Sequence, residues 1–81
     1  MRTRMIIPKK ILGLKALKHF VDRMCDRRIS ITDVEQILNN PEYKRKEPWK
    51  DRIVFQGTTN RGFVTLIVSS SGKSLKTCWV N

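Results

Sequence analysis

Apolar positions in this chain follow two different periods. Between Lys9 and Arg28, Leu14, Leu17, Val21 and Met24 recur at steps of three, four and three, with Phe20 and Cys25 beside them. That is the repeat of a helix with one apolar face. Gly13 weakens its early part, so the firm helix begins near there. Ser30-Ile31-Thr32-Asp33 predicts a second helix start, with Ser30 as cap and Asp33 at the capping-box spacing. Ile31, Val34, Ile37 and Leu38 keep the helical spacing, and Asn39-Asn40-Pro41 ends it. After Asp51 the pattern becomes that of strands. Arg52 to Gln56 is rich in β-branched and aromatic residues, Gly57 to Gly62 reads as a turn, and Phe63 to Ser69 is the most apolar run and the expected central strand. Ser70 to Lys73 is a further turn. In Ser74 to Val80, Leu75, Thr77 and Trp79 alternate with Lys76, Cys78 and Val80.

These elements predict one α+β domain over residues 1–81, with N-terminal helices packed on one face of a small antiparallel meander. Residues 1–10 form a basic arm broken at Pro8, in which Met5, Ile6 and Ile7 are either a short added strand or a flexible lead-in. Residues 11–40 form the helical part, 41–51 a polar loop and 52–80 the sheet. The length permits only a modest core. Neither GxGxxG nor GxxxxGK[ST] occurs, so a nucleotide-cofactor fold is not expected. No apolar run reaches a membrane-spanning length and no secretory leader is evident. The expected site of action is the cytoplasm, reached either directly or as the terminal part of a larger exported protein.

Charge narrows the partner. The formal net charge is +10 and the isoelectric point about 10.3. Residues 1–28 hold nine Lys or Arg against Asp22 and Asp26, and residues 52–81 carry Arg52, Arg61, Lys73 and Lys76 with no acid. A polyanion such as RNA or DNA, or an acidic protein, fits this distribution. Lys15, His19, Arg23 and Arg27 are spaced four apart and would stack along one helical ridge. Asp22 and Asp26, with Lys18, give a separate edge of mixed charge. Tyr43 and Trp49 interleave with Lys44, Arg45, Lys46 and Lys50. Such aromatics either stack on unpaired bases or, in the case of Trp49, fold back onto the core.

The motifs of metal hydrolases (HxE, HExxH) and the GxSxG elbow are missing, and Cys25 and Cys78 with a single histidine make no zinc set. The two cysteines read as small buried apolar residues, with a disulfide between them left open. Metal-free RNA cleavage needs less: a base for the ribose 2′-hydroxyl, an acid for the leaving 5′-oxygen, and cations for the phosphoryl charge. His19, the only histidine, is the natural proton carrier. Arg23 shares its ridge, Arg52 opens the first sheet strand, and Lys76 and Thr77 lie on the last. Each has a plainer reading: a surface histidine, an ion pair for Arg23, a helix C-terminal charge for Arg27 and Arg28, an edge charge for Arg52, strand propensity for Thr77.

The order His19-Phe-Val-Asp-Arg23, Arg28-Ile-Ser, Asp33-Val, Arg52-Ile-Val-Phe-Gln-Gly57 and Lys76-Thr77-Cys78-Trp79 resembles the toxin-related domains of the barnase, EndoU, colicin and RelE (BECR) superfamily. The likeness spans about residues 14–80. It implies helices on an antiparallel sheet and a metal-independent endoribonuclease, often neutralised by an antitoxin or immunity protein. Its functional positions, carried over by motif, fall on His19, Arg23, Arg52 and Thr77. A two-histidine acid/base pair is impossible here, so the second proton carrier would be a lysine, Tyr43 or water. The resulting expectation is a toxin-type endoribonuclease acting on tRNA or mRNA, with no cofactor and no metal. His19, Arg23, Arg52 and Thr77 would be catalytic, and Lys15, Arg27, Lys76, Tyr43 and Trp49 would bind RNA. The expected protein partner is an acidic antitoxin or immunity protein. The rival expectations are an RNA- or DNA-binding module without catalysis and a domain that binds an acidic protein.

Overall fold

A computed structural model describes residues 10–81. All of the expected arm except Lys10 lies outside the described residues. The chain begins with a tight hairpin, β1 (Lys10–Ile11) and β2 (Leu14–Ala16). Its two turn residues, Leu12 and Gly13, both have positive φ (51° and 81°), as a two-residue type I′ turn requires. The helix expected from Lys9 therefore starts later. Gly13 serves a turn, and α1 covers Lys18–Asp26.

The end of α1 is closed by a Schellman arrangement. Ile29 N–H donates to the Met24 carbonyl at 2.9 Å and Arg28 N–H to that of Cys25 at 3.2 Å, with Arg28 at φ 58°. Ile29 and Met24, the apolar pair of this motif, are both buried. Helix α2 (Ile31–Asn39) has the expected capping box: Asp33 N–H donates to Ser30 Oγ at 3.0 Å and Ser30 N–H to Asp33 Oδ2 at 3.3 Å.

Residues 41–51 are not a loop. They hold strand β3 (Tyr43–Glu47) and a 3₁₀ turn (Pro48–Lys50). The high charge of YKRKE hid the strand, which lies at a sheet edge, where lysine and arginine are tolerated. Strand β4 (Arg52–Thr59) runs through Gly57, β5 spans Gly62–Ser69, and β6 spans Ser74–Val80. Gly57 is a strand residue because α2 presses on it: a Cβ there would meet Ile37 Cγ1 at 3.0 Å.

The six strands lie in the order β1-β2-β6-β5-β4-β3. The C-terminal strands β3 to β6 are antiparallel neighbours, with β5 internal as expected. The sheet is mixed, however, because β2 pairs parallel to β6. β2 lies on the far side of the meander and feeds both helices before the chain returns, which is the crossover a parallel pair needs.

Both helices cover one face. Phe20 and Met24 of α1 and Val34 and Ile37 of α2 pack with Ile53, Phe55, Val64, Leu66, Val68, Leu75 and Cys78. Each fully buried aliphatic or aromatic side chain contributes about 1.5–3 kcal/mol relative to exposure. A register shift at Ile67/Val68 sets the facing of β6: Leu75 pairs with Val68, but Thr77 pairs with Ile67. The additional residue between them is Lys76. Simple alternation therefore fails: Leu75, Cys78 and Val80 face the helices, and Thr77 and Trp79 face the other side.

Candidate functional site

The cation ridge expected on one helix is divided by the fold. Lys15 belongs to β2, where its N–H donates to the Lys73 carbonyl, and Arg27 is the C-cap of α1. His19 and Arg23 remain, one turn apart and both exposed. His19 lies in the first turn of a helix whose N-cap, Leu17, offers no side-chain acceptor. The first N–H groups of a helix lack intrahelical partners and favour anions.

Helix α1 lies along β6. Leu17 N–H donates to the Leu75 carbonyl at 3.2 Å, and Cys78 Sγ lies 3.9 Å from the Phe20 carbonyl oxygen. The two elements thus advance together, and His19 falls at the level of Lys76 and Thr77. β2 pairs with β6 only at Ser74 and Leu75, so among the described residues no strand covers the outer side of Lys76–Val80. Burial pushes the Cys78 thiol up to about 11, while the Arg23 charge acts the opposite way, as expected if Arg23 lies on the β6 side of α1. The pattern predicted two buried cysteines. Cys78 is buried, but Cys25 is exposed on the helix, and both are free.

The other face of the sheet carries the remaining candidates in cross-strand rows. One row is Arg45–Val54–Ile67–Thr77, and a second is Tyr43–Gln56–Thr65–Trp79. A third pairs Glu47 with Arg52 and Arg52 with Ser69. Thr77 therefore shares its face with Arg52, while His19 and Arg23 approach from the helix layer at the β6 edge. Arg52 is committed to a carboxylate: its Nε lies 2.5 Å from Glu47 Oε1, and Arg45 lies 2.6 Å from Glu47 Oε2. The Arg52 hydrogen bond is the largest cause holding the Glu47 carboxyl below its ordinary value, against desolvation, with the charges of Arg45, Arg52 and Lys50 adding to it.

Lys76 donates to the Asp51 carbonyl at 3.3 Å, and its ammonium is 4.0 Å from the Asp51 carboxylate. The Asp51 carboxyl is lowered first by the hydroxyl of Ser70 and then by Lys76. Two of the expected phosphate contacts, Arg52 and Lys76, thus already have acidic partners. His19 and Arg23 have no ion pair among the described residues.

Tyr43 is a strand residue on the uncovered sheet face and is 46% exposed. Trp49 is in the 3₁₀ turn and 72% exposed, so it does not fold back onto the core. The aromatic residue sharing a row with Tyr43 is Trp79, to which the sequence pattern gives no role. Strict alternation put Trp79 beside the core residue Leu75, and the bulge at Lys76 reverses that. Among the described residues, no group of three or more His, Cys, Asp or Glu could hold a metal ion, and no helix is long and apolar enough to cross a membrane.

A family profile described as Domain of unknown function (DUF4258) matches residues 17–79. The chain belongs to the DUF4258 family. The match runs from the N-cap of α1 into β6, so the DUF4258 unit contains both helices and strands β3 to β5 entire, and begins after the β1–β2 hairpin. No curated protein and no solved structure matches the chain.

Proposed function

We propose that this DUF4258 chain is a metal-independent, toxin-type endoribonuclease of BECR character. The observation that carries the reading is the pair His19 and Arg23, exposed, one turn apart on α1 and without an ion pair among the described residues, at a helix start whose N-cap offers no side-chain acceptor. His19 takes the proton of a ribose 2′-hydroxyl. The freed oxygen attacks the adjacent phosphorus, and the 5′-oxygen leaves with a proton from water or a nearby lysine. The products are a 2′,3′-cyclic phosphate and a 5′-hydroxyl end. Arg23 and the uncapped N–H groups of α1 stabilise charge on the non-bridging oxygens. Thr77, at the same level but on the opposite face of β6, takes no part in the proton transfer. Arg52, shared with Glu47, contacts the RNA backbone away from the scissile bond, as does Lys76.

The charge of +10 suits tRNA or mRNA as substrate and an acidic antitoxin or immunity protein as inhibitor, with action in the cytoplasm. The test is incubation of the purified chain with tRNA and total RNA in EDTA, beside His19→Ala. Discrete cleavage by the parent alone is expected. Equal cleavage by both proteins, or none by either, rejects the assignment.

One observation favours a second reading, a nucleic-acid-binding module without chemistry. Arg52 and Lys76 are both balanced by carboxylates, while exposed aromatic rings stand on the sheet face. Such a module predicts salt-sensitive RNA binding that His19→Ala leaves unchanged.

A further inference from the structure

The sheet face away from the helices has no covering helix or strand among the described residues; it carries the buried apolar pair Val54 and Ile67 beside a row of polar and aromatic residues. Its row Tyr43–Gln56–Thr65–Trp79 has an exposed aromatic ring at each end, 46% and 38% accessible. Adjacent strands are about 4.8 Å apart, so the two rings emerge roughly 14 Å from one another. Between them runs a fixed polar chain. Gln56 Nε2 donates to Thr65 Oγ1 at 2.9 Å, and Thr65 Oγ1 donates to Asn81 Oδ1 at 3.2 Å. Thr65 is only 1% exposed, so this chain is part of the sheet surface rather than a mobile fringe. Arg45 braces one ring: its guanidinium is 5.8 Å from the Tyr43 centroid and donates to the Tyr43 hydroxyl at 3.3 Å. Arg45 is the cation nearest the row and is shared with Glu47; Arg52 and Lys76 lie farther along their strands, beyond the Arg45–Val54–Ile67–Thr77 row, each with its own carboxylate.

We infer that this face is a base-stacking platform for single-stranded RNA. Tyr43 and Trp79 each stack one unpaired base, the side-chain amides of Gln56 and Asn81 meet base edges between them, and Arg45 follows the phosphates. Aromatic rings on an open sheet flanked by cations are suited to unpaired bases, because bases inside a duplex are already stacked. The chain's net charge of +10 favours a polyanion over a neutral protein surface. Thr77 and Trp79 are on the same face of β6, opposite the helix layer that holds His19. The inference rests on the RNA reading above but not on cleavage, and it limits the substrate to unpaired segments.

The test uses the full chain carrying Trp49→Phe, so that Trp79 is the one tryptophan, and His19→Ala, so that no RNA is cut. Titration with a single-stranded oligouridine should quench Trp79. Tyr43→Leu should weaken binding about 5- to 150-fold, while Tyr43→Phe keeps the affinity. Trp79→Leu, followed by polarisation of a labelled oligouridine, should do the same, with Trp79→Phe as its rescue. Thermal melts identify any variant that fails to fold, and the Phe variants then decide. Leucine variants that bind like the parent, a duplex of equal length that competes equally, or polyglutamate that quenches Trp79 as strongly would each overturn the platform. Loss of cleavage with His19→Ala while binding and quenching persist is the result expected if both readings hold. Quenching without cleavage by the His19-containing chain would reject the ribonuclease and leave the platform standing.

Discussion

Arg28 offers a quantitative test of the local reasoning. It occupies the left-handed position after α1, at φ 58°, where the Schellman arrangement favours glycine. A side chain in that conformation costs about 1–2 kcal/mol through the clash of Cβ with the carbonyl that follows. Replacing Arg28 with Gly removes that strain but restores freedom to the unfolded chain, which offsets about 0.5–1 kcal/mol. Arg28 is exposed and has no ion pair among the described residues, so no contact is lost. The net gain should be about 0.5–1 kcal/mol, or a rise of about 2–8 °C in Tm for a domain of this size.

The assay is reversible thermal unfolding followed by far-UV circular dichroism at fixed salt. Arg28→Ala separates strain from charge, since it deletes the charge and keeps the Cβ, and its Tm should stay near the parent's. Gly13→Ala is the converse, because nothing lies within 4 Å of a Cβ there and only the positive φ opposes it. It should lower stability by about 1 kcal/mol. An unchanged or lower Tm for Arg28→Gly, or an equal rise for Arg28→Ala, would refute the strain argument.

Further outcomes follow from other positions. Gly57→Ala should destabilise by about 1–3 kcal/mol in chemical denaturation, because its new methyl meets Ile37 Cγ1 at 3.0 Å. Glu42, Glu47 and Asp51 all have lowered carboxyl pKa values, through the Thr58 N–H, Arg52 and the Ser70 hydroxyl respectively. Their contribution is complete above the ordinary values of 4.5 and 3.8 and is lost as pH falls through the lowered ones, so melts should show stability declining below about pH 4.5. Timed reaction of the native protein with a thiol reagent should label exposed Cys25 quickly and buried Cys78, its thiol pushed up to about 11, only on opening. If Arg23 grips phosphate, Arg23→Gln should reduce RNA affinity and flatten its logarithmic dependence on salt by about one unit.

Where local chemistry decides the structure, the sequence was readable. Ser30 and Asp33 marked the start of α2, Asn39-Asn40-Pro41 marked its end, and Ser74 to Val80 gave the last strand. Misreadings arose where tertiary context overrides local pattern. Gly13 looked like a weak point in a helix because a Leu-Gly pair is an unusual type I′ turn. Tyr43–Glu47 looked like a loop because an edge strand tolerates cations that an inner strand would not. Gly57 looked like a turn because only the closeness of α2 explains a glycine within β4. The ridge through Lys15 depended on an unbroken helix, and the hairpin removed it. Arg52 and Lys76 read as free cations because their acidic partners, Glu47 and Asp51, meet them only through the sheet and its turns. Trp79 escapes the alternation pattern because one inserted residue, Lys76, changes which side of the sheet it faces.

Cleavage chemistry is the central claim, and end-group analysis tests it most directly. The chain is incubated in EDTA with an RNA it cuts, and again with the same RNA carrying a 2′-deoxy sugar at the cut site. His19 acting on a ribose hydroxyl predicts 2′,3′-cyclic phosphate and 5′-hydroxyl ends on the first and no cut at the deoxy position on the second. Ends bearing a 5′-phosphate, cleavage at the deoxy position, or no RNA cut under any condition would contradict it.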